Sequence, residues 1–96
     1  MENINSSTID DLSVSYYEDG VEVVKQLDKE ILTKGAWSTI IYKYQDWDKK
    51  SENYGPVKFV IVRYQKQNGI YKRRSKFNIS SIEQAKKIVE ILNNWI

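Results

Sequence analysis

The chain has 96 residues, enough for one domain, and its 41% hydrophobic and 12% aromatic content with a net charge of +2 is typical of a folded globular protein. It contains no cysteine and no histidine, which excludes disulfides, thiol nucleophiles and the commonest nitrogen ligand of zinc, copper or iron. The sequence shows no signal peptide and no apolar run of about 18 residues, so we expect a cytoplasmic protein without a membrane partner.

Residues 1–19 are polar, acidic and without sustained periodicity, which predicts a flexible tail. The remaining residues 20–96 are then expected to form a single domain. Residues 21–34 fit one face of either a strand or a helix, and their β-branched opening, Val-Glu-Val-Val, favours a strand.

Three clearer strands and a helix follow. The strands are predicted at residues 37–47, 57–66 and 70–79, and the Asn68-Gly69 pair predicts a tight hairpin between the last two. Ser80-Ser81-Ile82-Glu83 resembles a capping box, in which the Ser80 hydroxyl and the Glu83 carboxylate bind amides of the first turn. Beyond it, apolar residues recur at three- and four-residue steps, as expected for an amphipathic helix. These residues are Ile82, Ala85, Ile88, Val89, Leu92 and Trp95.

The predicted fold class is therefore α+β. We expect a twisted antiparallel sheet of four strands, or of three if residues 21–34 are helical. One C-terminal amphipathic helix should follow it and pack on one face of the sheet.

The hairpin assigns residues to the two faces of this sheet. A two-residue turn pairs Tyr64 with Arg73 and Arg63 with Arg74, whereas a three-residue turn with a bulge would exchange the faces. With the two-residue turn, the face that carries the helix is largely apolar: Val60, Val62, Tyr64, Tyr71, Phe77 and Ile79, with Ile40, Tyr42 and Tyr44 of the preceding strand. The opposite face is cationic, with exposed apolar residues among the charges: Phe59, Ile61, Arg63, Gln65, Lys72, Arg74, Lys76 and Asn78, with Trp37, Ile41, Lys43 and Trp47.

The basic residues are concentrated in one part of the chain. Residues 1–22 carry six acidic residues and no basic one, whereas residues 53–82 carry seven basic residues and no acidic one. Arg63 and Arg74, if opposed, would repel each other unless an anion lay over them. Cations interleaved with aromatic rings suit single-stranded nucleic acid, whose bases stack on the rings while its phosphates contact the cations.

We therefore predict a nucleic-acid-binding face. Its phosphate contacts would be Lys43, Arg63, Lys72, Arg74 and Lys76, and its stacking surfaces Trp37, Trp47 and Phe59. The alternative is that the charges are simply solvated and the apolar residues of this face contact a second subunit or another protein.

No residue pattern predicts an enzyme. The carboxylates near Asp46 and Asp48 lack the third ligand and the glycine of a calcium-binding loop. The four glycines are scattered singly, so no loop is predicted to cradle a phosphate. We expect no catalytic residue, cofactor, metal site or small-molecule substrate.

Part of the chain resembles the positive-cofactor-four family of single-stranded-DNA-binding transcriptional coactivators. The resemblance lies in Lys58-Phe-Val-Ile-Val-Arg63-Tyr64, Asn68-Gly69, Tyr71-Lys-Arg-Arg-Ser-Lys76 and Asn78-Ile79-Ser80 before Glu83-Gln84. It implies a homodimer in which helix and sheet pack across a twofold axis, with strands forming the DNA channel. It also implies a regulatory role in transcription.

A second, weaker resemblance is to the arm-type DNA-binding domains of tyrosine recombinases, which place a three-stranded sheet in the major groove. It is carried by Lys72-Arg-Arg-Ser-Lys-Phe77 and by Glu83-Gln84-Ala85 in the helix that follows. Together the patterns favour a homodimeric protein that binds single-stranded DNA, with RNA as the alternative nucleic acid.

Overall fold

The structure is a computed structural model that describes residues 6–96. Within these residues the chain forms six strands and one α-helix, preceded by a short 3-10 helix at Ile9–Asp11. The strands are β1 (Tyr16–Glu18), β2 (Val21–Thr33), β3 (Trp37–Asp48), β4 (Asn53–Tyr54), β5 (Lys58–Gln67) and β6 (Ile70–Ile79), and the helix is α1 (Ile82–Trp95).

All strand pairings are antiparallel. The strand order across the sheet is β1-β2-β3-β5-β6, and β4 pairs with the end of β3. The α+β class and the C-terminal helix are confirmed, as is the strand predicted near residues 21–34. The predicted number of four strands is too low, because the short strands β1 and β4 carry too few residues to show a period.

The tight turn between β5 and β6 is confirmed. Asn68 and Gly69 have φ values of 52° and 77°, the left-handed conformations that a two-residue hairpin turn requires. Near this turn Tyr64 pairs with Arg73, as predicted.

Farther from the turn, a β-bulge shifts the register by one residue, and Arg74 is the extra residue. Arg63 therefore pairs with Ser75, and Ile61 with Phe77. The predicted opposition of Arg63 and Arg74 is wrong. It assumed that strand pairing continues without interruption from the turn, and the sequence does not reveal a bulge within the strand.

The two faces of the sheet are accordingly different from the predicted ones on β6. The inner face, the one that carries the buried core, holds Ile40, Tyr42, Val60, Val62 and Tyr64. Past the bulge, the inner face continues into Lys76 and Asn78, which pair with Val62 and Val60. Phe77 and Ile79, predicted on the face that carries the core, lie instead on the opposite, outer face, although Ile79 is buried there at 4% exposure. Phe77 is 56% exposed there.

The inner face is covered by residues 6–15, which we call the strap. Its first described residue, Ser6, bridges to Tyr71 on β6 through two backbone hydrogen bonds of 3.3 and 2.7 Å. Ile9 and Leu12 are buried in the core. The chain then enters β1 beside β2, at the far side of the sheet. Where a tail was predicted over residues 1–19, the structure thus places residues 6–18 on the sheet, while residues 1–5 lie outside the described part.

Polar contacts from β2 hold the strap in place. The Lys29 ammonium donates hydrogen bonds to the carbonyls of Ile9, Asp10 and Leu12 at 2.7, 3.1 and 2.8 Å. Burial lowers the pKa of Lys29, an effect opposed by the nearby carboxylates of Asp10 and Asp11. The Ile9 carbonyl also accepts a hydrogen bond from the Leu12 amide at 3.2 Å, so Lys29 adds to the backbone hydrogen bonding of the 3-10 turn.

The helix α1 begins close to where it was predicted, but it does not cover the predicted face of the sheet. Its N-cap is Ser81, whose hydroxyl accepts a hydrogen bond from the Gln84 amide at 3.0 Å, while the Gln84 side chain accepts one from the Ser80 amide at 2.8 Å. The predicted box of Ser80 and Glu83 is thus displaced by one residue. No residue of α1 is fully buried and none belongs to the core cluster, so the predicted packing of the helix over Val60, Val62 and Tyr64 is wrong. The strap covers the core in its place.

Candidate nucleic-acid interface

The outer face of the sheet consists of two chemically different halves. Cross-strand register places Ile41 beside Ile61 and Ile61 beside Phe77, and it places Lys43 beside Phe59 and Phe59 beside Ile79. We call Ile41, Phe59, Ile61, Phe77 and Ile79 the apolar half. It lies at the end of the sheet where β6 leads into α1.

The other half of the outer face lies toward the Asn68-Gly69 turn and is basic. Register aligns Trp37 with Gln65 and Gln65 with Lys72, and the Arg63 side chain lies in the adjacent row. We call Trp37, Arg63, Gln65, Lys72 and Arg74 the basic half. Four of the eight predicted site residues therefore come together here.

The basic half contains a preformed stack. The Arg63 guanidinium carbon lies 4.3 Å from the centroid of the Trp37 ring, within the range of a cation–π contact. Both residues are exposed at the surface, Trp37 to 42%. The pair presents a delocalised planar cation against an indole, and either group can stack on a nucleic-acid base.

Arg74 is also held on this half. Its Nε donates to the Gln65 side-chain oxygen at 3.1 Å, and its Nη2 donates to that of Gln67. Two neutral amides thus orient the guanidinium without neutralising its charge. Sequence reasoning placed Gln65 on this face but missed Gln67 and the contacts of both to Arg74, although alternation along β5 places Arg63, Gln65 and Gln67 on one face.

Carboxylates are arranged around, not within, the basic half. The sequence has none over residues 31–45 or 53–82, which supply every strand segment of this half. Of the outer-face carboxylates, Asp28 pairs with Lys43 and Glu30 with Ile41, so both lie beside the apolar half. Among residues 6–96, Arg63, Lys72 and Arg74 form no ion pair. Their positive charge is therefore available to an anion.

The remaining predicted site residues are elsewhere. Phe59 belongs to the apolar half, and Lys43 is its neighbour on β3. Trp47 lies ten residues along β3 from Trp37 and packs edge-on against Tyr54 of β4, with ring centroids 5.1 Å apart. Lys76 lies on the inner face because of the bulge.

The described residues include no helix long and apolar enough to cross a membrane. Over the same part of the chain, no three metal-ligating side chains are grouped closely enough to hold an ion. Comparisons with protein-family models, curated proteins and solved structures return no match. The resemblances drawn from sequence motifs accordingly stay predictions.

Proposed function

We propose that the protein binds nucleic acid, single-stranded DNA foremost, through the basic half of the outer face. The observation that carries the proposal is the Arg63–Trp37 stack beside two further cations on a surface without carboxylates. Such a surface supplies both requirements of single-strand binding, ring faces for bases and cations for phosphates. Because none of these contacts reads a base edge, binding should depend little on sequence.

The test is anisotropy titration of a labelled oligothymidylate across a range of salt concentrations. With three phosphate contacts, from Arg63, Lys72 and Arg74, log K against log salt should have a slope of about −2, taking about 0.7 per contact. Arg74→Ala should flatten this slope by about 0.7. Lys86→Ala, which removes an exposed cation from α1, is the matched control and should leave the slope unchanged.

Two results would contradict this assignment. One is an affinity that does not change with salt, and the other is an Arg63→Ala variant that binds as tightly as Lys86→Ala. Parallel titrations with oligouridylate and with duplex DNA distinguish RNA and double-strand binding from the proposed preference.

We also propose that the protein is a homodimer. One part of the outer face would then contact a second copy, while the other part would bind nucleic acid. The helix α1 exposes an apolar stripe on which Ile82 is 46%, Val89 57%, Leu92 46% and Trp95 80% exposed. The apolar half of the outer face lies where β6 leads into this helix. Phe77 of this half is 56% exposed, and exposed apolar side chains so close together favour burial against a second copy, since they would otherwise remain in water.

In that assembly the apolar halves and helices would form the interface and the basic halves would stay open. Sedimentation of the full chain should give a dimer, and Val89→Glu should give a monomer. Asn94→Glu adds the same charge to the same helix on the side opposite the stripe and should remain dimeric. A monomeric wild-type protein, or equal dissociation of both variants, would rule out this interface.

A further inference from the structure

A groove of about 470 Å³ lies on the inner face, between the end of the strap and β6. This volume is within the range of small-molecule sites in proteins, roughly 300–1,000 Å³. Its floor is apolar and consists of Val24, Val60 and Val62. The groove is on the opposite side of the sheet from the basic half of the outer face, so the two surfaces are physically separate.

The walls of the groove combine rings with cations. Tyr16 and Tyr44 supply two phenol rings, and Tyr16 is 37% exposed. Arg73 and Lys76 supply two positive charges from β6, and Asn78 adds an amide. An apolar floor with a few converging polar groups is the usual composition of a ligand site.

One carboxylate also lines the groove, but it is paired. Asp46 accepts a hydrogen bond from the Lys58 ammonium at 3.0 Å. This hydrogen bond raises the pKa of Lys58, so the ammonium keeps its charge at neutral pH and compensates the carboxylate it contacts. The positive charge that the groove offers a ligand is therefore that of Lys76, which forms no ion pair among residues 6–96.

The strap forms one side of the groove through Ser13 and Val14. The side-chain oxygen of Gln26 on β2 accepts hydrogen bonds from the Ser13 hydroxyl at 2.8 Å and from the Val14 amide at 3.1 Å. This wall is thus fixed before any ligand arrives, and little ordering entropy should oppose binding.

We propose that the groove binds a single nucleotide, with the base against the Tyr16 and Tyr44 rings and the phosphate at Lys76. The choice of a nucleotide as ligand class rests on the proposed function, but the site and its residues are independent of the basic half. The bulge at Arg74 creates the site, because it turns Lys76 onto the inner face beside Val62.

The test is calorimetric titration of the full-length protein with thymidine 5′-monophosphate. Thymidine and inorganic phosphate, titrated separately, should each bind at least about tenfold more weakly, since each offers half of the recognised groups. Octanoate, an anion with a flexible aliphatic body, should also bind more weakly because it cannot stack. Phosphate or octanoate binding as tightly as the nucleotide would overturn the proposal.

Matched variants locate the site. Lys76→Ala should weaken nucleotide binding about tenfold, whereas Lys72→Ala, on the outer face of the same strand, should not. Tyr16→Leu should weaken it similarly, whereas Tyr17→Leu, the next residue along β1, should not. Equal effects within either pair would overturn the assignment. All four positions are exposed, so the variants should fold.

The two proposals fail separately. Arg63→Ala should impair oligonucleotide binding and leave mononucleotide binding intact. If the oligonucleotide binds through Arg63 and the mononucleotide does not bind, only the groove proposal is wrong. If mononucleotide binding requires Lys76 and no oligonucleotide binds, only the proposed function is wrong.

Discussion

The hydroxyl oxygens of Tyr42 and Tyr64 lie 2.8 Å apart at the centre of the core, and each side chain is at most 1% exposed. One hydroxyl donates to the other, so neither buried group lacks a partner. Burial is the main cause that raises the pKa of both phenols above the ordinary value of 10.0. Ionisation of this pair at high pH should therefore destabilise the core.

The expected result is loss of stability at high pH. A phenol that holds its proton more tightly when folded contributes its stabilisation in full below pH 10, and the contribution falls as the pH rises above that value. Denaturant unfolding across pH 8–11 should show this decline. Tyr42→Phe/Tyr64→Phe should flatten it, whereas Tyr16→Phe should retain it; a double variant with the wild-type decline would contradict the explanation.

Lys29→Met should loosen the strap. The substitution keeps the aliphatic stem but removes hydrogen bonds to three carbonyls, of which those of Ile9 and Leu12 belong to buried residues. We expect a loss of about 1–3 kcal/mol in the free energy of unfolding. Hydrogen exchange at the Leu12 amide should accelerate more than exchange in β3. Lys34→Met, in the exposed β2–β3 loop, is the control, and comparable losses in both variants would contradict the anchoring role.

Gly69→Ala should destabilise the hairpin by about 1 kcal/mol through backbone strain alone. The residue has a φ of 77°, and a Cβ added there meets nothing within 4 Å, so no steric clash contributes. Gly35→Ala is the matched control because its φ is not left-handed and its added Cβ would make an ordinary contact of 3.6 Å. Urea unfolding that shows equal losses in the two variants would argue against strain at the turn.

Ser81→Ala should fray the helix without weakening the sheet. The hydroxyl accepts the Gln84 amide at 3.0 Å, and loss of such a cap costs about 1 kcal/mol of helix stability. Because α1 buries none of its residues, the cost should reduce helical circular dichroism and leave the unfolding midpoint of the sheet unchanged. Ser80→Ala removes only a long 3.4 Å hydrogen bond from the Ser80 hydroxyl to the Gln84 side chain and keeps the 2.8 Å bond from the backbone amide, so it serves as the milder control. A matching drop in the sheet midpoint would mean that helix and sheet unfold together.

The sequence predicted those features that depend on local chemistry. The Asn68-Gly69 turn was predictable because few residue pairs adopt two successive positive φ values. The inner-face positions of Tyr42 and Val62 followed from alternation, since neither strand is interrupted near them. The position of α1 followed from the three- and four-residue spacing of its apolar residues and from the two serines that precede it.

The features that sequence reasoning missed depend on tertiary context. A bulge at Arg74 costs little and leaves no periodic trace, yet it moved Lys76 from one face to the other. The amphipathic pattern of α1 indicated that its apolar face should be buried, but it could not indicate which surface would bury it. The strap buries only Ile9 and Leu12 in its polar segment, too few apolar residues to indicate a packed element.

The bulge and the cations of β6 also bear on solubility, because β6 is an edge strand of the sheet. A long flat edge invites another chain to pair with its free backbone groups, the first step of aggregation. Here the edge is bent at Arg74, carries five polar residues in a row from Lys72 to Lys76, and is engaged at Tyr71 by Ser6. The opposite edge, β1, is only three residues long. Within residues 6–96, both edges of the sheet thus carry features that oppose pairing with further strands.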